Sequence, residues 1–167
     1  EKPDLCHVHN IYTQISPSIL HTLKDRRVPV VMNVHDHHLI SPQYGIWAEG
    51  CGKNYRGKSL VAGTLSRFHK NSYLASLAQV GAYKLHRAMR IYEKYVDIFV
   101  VPSVYLKRQL IAGGFPKEKI RFNPYGIDTH KITTSYEHDG SFLFVGRLSD
   151  EKGVDMIIHS AKLLPDI

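Results

Sequence analysis

Two basic residues, Arg147 and Lys152, bracket a turn between an apolar run and a helical pattern. The run SFLFVG ends at Gly146, and from Gly153 onward apolar residues recur at helical spacing. A helix N-terminus offers free backbone N–H groups and a partial positive charge, and nearby cations strengthen its attraction for an anion. The pattern predicts a diphosphate site at Gly146, Arg147 and Lys152. Solvated loop cations are the alternative, which the surrounding strand and helix pattern disfavours.

A second group of polar residues follows another apolar run. Residues 28–34, VPVVMNV, are almost continuously apolar, as is typical of a parallel strand covered on both faces. His35 and Asp36 come directly after this run. In α/β proteins ligands bind at the carboxyl ends of the strands, so these two residues are predicted to face a cleft. The alternative is that His35 is a structural histidine.

Histidines also suggest a competing chemistry. His7 and His9 alternate on one face of a predicted strand, and with His35, Asp36 and His37 they could form the metal centre of a hydrolase. This hypothesis requires the ends of two strands to be neighbours. It also leaves the predicted diphosphate site without a purpose, which disfavours the metal-centre hypothesis.

Strand and helix signals alternate along the whole chain. This order, with buried runs such as the one at residues 97–101, predicts an α/β fold with a Rossmann-like, doubly wound parallel sheet. Between residues 128 and 140 the composition shifts to Thr, Ser, His and charged residues without an apolar period. We therefore expect a partial N-terminal domain in residues 1–127, a linker in 128–140, and the first βα unit of a C-terminal domain in 141–167.

A basic amphipathic helix is predicted from Asn71 to Tyr95. Four cations occupy much of one side, which suits an anionic membrane surface: Lys84, Arg87, Arg90 and Lys94. An ordinary solvated helix face is the alternative. The preceding segment, residues 41–70, has no clear period and is predicted to be a long, partly mobile excursion that shapes substrate choice.

Composition and charge exclude several classes of protein for this chain. The 167 residues carry a net charge of +7, which favours anionic partners, but no nucleic-acid-binding motif is present and we predict no such partner. Neither a membrane-spanning apolar run nor a signal-peptide pattern occurs, so the chain is predicted to be cytoplasmic, with peripheral attachment to the inner face of the membrane as a variant. Cys6 and Cys51 show no paired spacing and are predicted to be reduced thiols.

The segment VGRLSDEKGVD resembles the donor-phosphate segment of family-four retaining glycosyltransferases, which have the two-domain GT-B fold. Four further segments resemble the same family in the same order, namely PDLCHVHN, PVVMNVHDHHLISPQYG, YVDIFVVPSVYLKRQLIAGGFPKEKI and NPYGID. The resemblance implies a truncated GT-B protein and a hexosyltransferase type of enzyme. Its donor would be a nucleoside-diphosphate sugar, and its acceptor a hydroxyl of a glycan or a lipid-linked molecule.

The resemblance also implies roles for individual residues. Arg147 and Lys152 would hold the donor diphosphate, and Gly146 would let it approach the backbone. His35 would touch the donor sugar or help to place the acceptor. We predict His35 and Asp36 as the catalytic residues. Similar enzymes generally need no metal ion.

Two departures from the family pattern matter. Tyr125 stands where relatives usually have asparagine, so the role of that asparagine cannot be transferred. The family's glycine-rich first loop and its acidic pair are not found in these residues. We therefore expect an inactive fragment of a longer enzyme, with a non-catalytic interaction module as the alternative for the fragment itself.

Overall fold

The computed structural model describes residues 3–12, 15–43, 59–133, 135, 137 and 140–164. The chain divides into two compact units, Glu1–Tyr125 and Gly126–Ile167. The first unit contains a parallel sheet with helices, which confirms the predicted α/β, Rossmann-like class.

The described part of the first unit contains one four-stranded sheet. Its strands follow the order of the chain and are β1 (Cys6–His9), β2 (Val30–Asn33), β3 (Ile98–Val101) and β4 (Ile120–Phe122). Each strand pairs in parallel with the next, with His9 opposite Asn33 and Met32 opposite Phe99. The carboxyl ends of all four strands therefore lie along one edge of the sheet.

Among the residues described for the first unit, five helices connect the strands, namely α1 (Ile19–Asp25), α2 (Leu60–Leu65), α3 (Tyr73–Met89), α4 (Ile91–Tyr95) and α5 (Val104–Ala112). The described part of the second unit contains one further α-helix, α6 (Val154–Lys162). Short 3₁₀ turns occupy Lys117–Lys119, Thr129–Lys131 and Asp150–Lys152. Ser103 caps α5, because its hydroxyl accepts a 3.1 Å hydrogen bond from the backbone N–H of Leu106. Ser59 and Ser72 cap α2 and α3 in the same way.

One predicted helix differs from the structure. The helix predicted at 71–95 is broken at Arg90, whose left-handed backbone (φ 53°) ends α3 and starts α4. This change of direction lets α4 bury Tyr92 and Glu93. Within the predicted excursion, α2 provides ordered structure, whereas residues 44–58 lie outside the described part of the chain.

The core of the first unit lies between the sheet and its helices. Alternate residues of β2 and β3 are fully buried, and their partners come from the helices and loops. Phe99 of β3 packs edge-on against Phe115, with ring centroids 5.2 Å apart. The main buried side chains are Leu20, Val30, Met32, Val34, Leu39, Val96, Phe99, Val101, Leu110 and Ile120. This core fixes the sheet edge from which the candidate site is built.

The second unit has a different character. The strand predicted at 141–146 is not formed, and Leu143 is 89% exposed. A strand needs a neighbour to pair its N–H and C=O groups, and the described residues of this unit contain no other strand. The helix predicted after Gly153 is present as α6, although it buries none of its residues.

Candidate functional site

Histidines and tyrosine meet at the carboxyl edge of the sheet. Because β1 and β2 pair in parallel and in register, His7 and His9 lie beside the end of β2. The Nε2 atom of His7 is 3.0 Å from the side-chain oxygen of Asn33, to which it can donate. The rings of His7 and His9 lie 4.5 Å apart on the same face of β1.

His35 lies at the centre of a hydrogen-bonded row. Its Nε2 atom is 2.8 Å from Nδ1 of His9, and its Nδ1 atom is 2.5 Å from the hydroxyl of Tyr125. The three rings are nearly parallel, with interplanar angles of 18° and 15° at the two contacts. All three side chains are exposed to solvent. The row is therefore an accessible polar surface at the place where the fold class binds ligands.

The geometry bears on the metal-centre hypothesis. The strand ends are neighbours, as that hypothesis required. However, both ring nitrogens of His35 are engaged in hydrogen bonds, and the nitrogens of His9 and His35 are directed at each other. Among the described residues, no group of three or more His, Cys, Asp or Glu side chains is arranged to hold a metal ion.

Asp36 shapes the loop that follows β2. Its carboxylate accepts a 2.9 Å hydrogen bond from the backbone N–H of His38, a local contact that turns the chain. The carbonyl of His37 then accepts from Ile40 and Ser41. Asp36 therefore has an observed structural role, and its catalytic role remains a prediction.

A polar pocket, separate from the row around His35, lies between the loop that follows β2 and helix α3. It encloses about 360 Å³ of empty space, open mouth included, and its lining includes Tyr12, His38, Gln79, His86 and Tyr92. The rings of Tyr12 and His38 stack 4.1 Å apart, while Nε2 of Gln79 lies 3.2 Å from Nε2 of His38. The Tyr12 hydroxyl is buried without a hydrogen-bond partner among the described residues.

Burial controls protonation around this pocket. It is the main cause that lowers the pKa of His38, an effect that Asp36 opposes and that His86 and His69 reinforce. Burial also raises the pKa of Tyr12, with the Asp36 charge as the next cause. Consequently His38 and Tyr12 are both held in their neutral forms.

Although the His9 side chain is exposed, partial desolvation by its neighbours is the first cause that lowers its pKa, and repulsion from His7 and His35 is the next. Neutral His9 is therefore favoured, as for the pocket residues.

The predicted basic stripe is only partly correct. Arg87 does not face solvent freely, because it forms a 2.8 Å ion pair with buried Glu93 and lies over the ring of Phe115. Its second nitrogen donates to the carbonyl of Gly113 at 2.5 Å. Lys84 and Lys94 remain exposed, but the break at Arg90 puts them on separate helices. Sequence periodicity missed the inward role of Arg87 because its partners are distant in the chain.

The predicted diphosphate residues lie in the second unit. Gly146 and Arg147 follow the irregular segment, and Lys152 ends the 3₁₀ turn just before α6. Gly153 adopts a left-handed conformation (φ 63°) and provides no side-chain cap, so α6 begins with backbone groups alone. Their role in binding remains a prediction.

Tyr125 was noted in the sequence only as a departure from a pattern. The structure places it three residues after β4, with its hydroxyl on His35. The available signal was its position just after the segment that forms β4, because side chains gather at the carboxyl edge of a parallel sheet.

A parallel sheet with helices and a polar carboxyl edge defines an α/β protein of the Rossmann-like, ligand-binding class. The family model for Glycosyltransferase Family 4 matches residues 1–131. The chain therefore belongs to this family, which confirms the resemblance seen in its sequence.

One relative extends the similarity over almost the whole chain. It is an "Uncharacterized 42.6 kDa protein in cps region" of Klebsiella pneumoniae, 24% identical over 164 residues. The match covers 97% of this chain but only 38% of the relative's length. No solved structure matches the chain significantly.

Among the described residues, no helix has the length and apolar character required to cross a membrane. Cys6 is a free thiol, whereas Cys51 lies outside the described residues.

Proposed function

We propose that the whole protein transfers a hexose from a nucleoside-diphosphate donor to a hydroxyl of a glycan or lipid-linked acceptor, with retention of the anomeric configuration. The observation that carries the proposal is the match to Glycosyltransferase Family 4 over residues 1–131. The solvent-exposed row around His35 supports it, because hydroxyl-rich ligands need hydrogen-bonding groups of this kind.

The donor half of the reaction is assigned to Gly146, Arg147 and Lys152. As the bond between the sugar and the diphosphate breaks, the leaving diphosphate takes the electron pair and its negative charge grows. Preorganised cations and helix-end N–H groups then stabilise the transition state more than the ground state. Asp155 brings a negative charge to the first turn of α6, so an anion at this helix end depends on the two cations.

The acceptor half is assigned to His35 and Asp36, on the first unit. His35 would act through its two neighbours, His9 and Tyr125, whose free polar groups would orient a sugar hydroxyl. Asp36 would hold the loop that follows β2. No metal ion or other cofactor is included in this proposal.

Replacement of Arg147 tests the donor assignment in the full-length protein. Arg147→Ala should lower kcat/KM by about 2–4 kcal/mol of transition-state stabilisation, as expected for the loss of one preorganised donor. The matched control is Arg108→Ala, because Arg108 is an exposed arginine on α5 in the other unit. Equal activity of the two variants in a sugar-transfer assay would refute the assignment.

We also propose that the 167 residues alone have negligible transfer activity, since they span only 38% of the relative's length. A rate for this chain similar to that of the full-length protein would contradict this view.

An anionic membrane surface is the proposed location for a lipid-linked acceptor, with the protein cytoplasmic and peripheral. Helices α2 and α3 expose several large apolar side chains, among them Val61, Leu65, Leu74 and Leu85. Exposed cations lie on the same two helices and the turn between them, including Arg67, Lys70 and Lys84. Apolar groups next to cations are the combination that docks on anionic leaflets.

Vesicle sedimentation tests this location. The chain should bind vesicles containing phosphatidylglycerol, less strongly at high salt, and Lys84→Glu should weaken binding by about 1–2 kcal/mol. Arg108→Glu changes charge equally on another helix and serves as the control. Binding that ignores both salt and Lys84→Glu would exclude an electrostatic surface at this position.

A further inference from the structure

The row of His9, His35 and Tyr125 contains two hydrogen bonds that share one ring. Each contact needs one hydrogen between its two heavy atoms, and a neutral imidazole carries a single N–H. Neutral His35 therefore donates to one neighbour and accepts from the other, whereas a protonated ring would donate to both. The two contacts are consequently coupled, and the row can run in only two directions.

The first direction starts at Tyr125. Its hydroxyl donates to Nδ1 of His35, the Nε2–H of His35 donates to Nδ1 of His9, and the Nε2–H of His9 remains available. In the reverse direction, both histidines carry their hydrogen on Nδ1, and the tyrosine hydroxyl donates outward. In either case the two rings have the same tautomer.

Acid–base chemistry selects between the two directions. A phenol is the better hydrogen donor of the pair, and a neutral imidazole nitrogen is a much stronger acceptor than a phenol oxygen. The contact between Tyr125 and His35 therefore favours donation by the tyrosine. The Nε2 atom of His9 has no hydrogen-bond partner among the described residues, so its N–H is left to face solvent or a ligand.

We infer that His9, His35 and Tyr125 form one directional hydrogen-bond chain that presents a donor at His9 Nε2 and an acceptor at the Tyr125 oxygen to two polar groups of a bound sugar. The sugar as ligand rests on the proposed function, whereas the direction of the chain does not. In this arrangement His35 is a positioning residue, because both of its nitrogens are used within the chain. Tyr125 and His9 are the groups that select the ligand.

The direction can be read from the tautomers. Long-range ¹H–¹⁵N NMR of the 167-residue chain at pH 8, with ¹⁵N-labelled histidine, should show the Nε2–H form for both His9 and His35. Tyr125→Phe keeps the stacked ring and removes the hydroxyl, so the nitrogen shifts of both histidines should move together toward averaged values. Tyr105→Phe, on an exposed tyrosine of α5 outside the row, should change neither. Opposite tautomers in the two rings, or unchanged shifts in Tyr125→Phe, would overturn the inference.

The ligand is tested on the same samples with the methyl α-glycosides of glucose, galactose and mannose as probes. At least one should shift the His9 and His35 signals saturably, and Tyr125→Phe should weaken its binding by about 2- to 10-fold, the loss of one hydrogen bond. Absence of any shift with all three probes, or equal affinity in the variant, would refute the sugar assignment.

Neither measurement requires turnover. Failure of sugar transfer in the full-length protein would therefore count against the proposed function and leave the chain of hydrogen bonds standing. Opposite tautomers in His9 and His35 would refute the hydrogen-bond chain and leave the proposed function untouched.

Discussion

The two units of the chain use apolar residues differently. In the first, the sheet and its helices bury residues such as Phe99 and Leu20 completely. In the second, Phe142 is 73% exposed and α6 buries none of its residues. Both sequences have apolar runs of similar character, so hydrophobicity alone does not make a core. A core forms where several elements contribute faces to one volume.

Two phenylalanines provide the strongest test of this comparison. Phe99→Ala should lower the free energy of unfolding by about 3–5 kcal/mol, because it leaves a cavity in the buried centre of β3. In the same 167-residue chain, Phe142→Ala should change this free energy by less than about 0.5 kcal/mol, since the ring is mostly exposed to solvent there. Urea unfolding followed by circular dichroism gives both values. Similar losses in the two variants would mean that residues 141–145 pack as tightly as the core.

The ion pair of Arg87 tests whether charge inside the first unit is also fixed by packing. Arg87→Met removes the partner of Glu93, whose side chain is only 4% exposed, and should cost about 3–5 kcal/mol of unfolding free energy. Arg108→Met removes an exposed arginine and should fall within about 0.5 kcal/mol of the parent. If both variants unfold alike, Arg87 belongs to the solvated stripe that the sequence suggested.

Lowering the pH should reduce the free energy of unfolding of the first unit, because His38 becomes protonated more readily in the unfolded chain. Its pKa in the folded state is lowered by burial below the ordinary value of 6.5, so the unfolded chain binds a proton more readily. Stability attributable to His38 is complete above pH 6.5 and is lost as the pH falls toward the folded-state pKa.

The slope of unfolding free energy between pH 7 and 5.5 should therefore flatten in His38→Gln. It should remain unchanged in His130→Gln, which alters an exposed histidine of the second unit. An unchanged slope in His38→Gln would show that its pocket admits the charged form.

Much of the first unit was predictable from local patterns. The apolar runs at 28–34 and 97–101 predicted β2 and β3. Periodicity succeeded here because each element buries a regular face. It failed at Arg90, since a left-handed residue that splits a helix leaves no mark on an otherwise helical pattern. Residues 141–146 form no strand among the described residues, because strand formation depends on a partner that the run itself does not specify.

The candidate site also has a part that could be predicted from the sequence and a part that could not. His35 and Asp36 could be placed at the carboxyl edge from their position after an apolar run, and the family could be recognised from motifs in order. Other contacts could not be predicted from the sequence, because they join residues far apart in the chain. These are the contact of Arg87 with Gly113, the contact of Tyr125 with His35 and the contact of His35 with His9. The sequence by itself determined the central strands of the first unit and the chemical groups that follow them. Only the tertiary structure decided which of those groups meet, since that depends on strand order, register and the burial of whole faces.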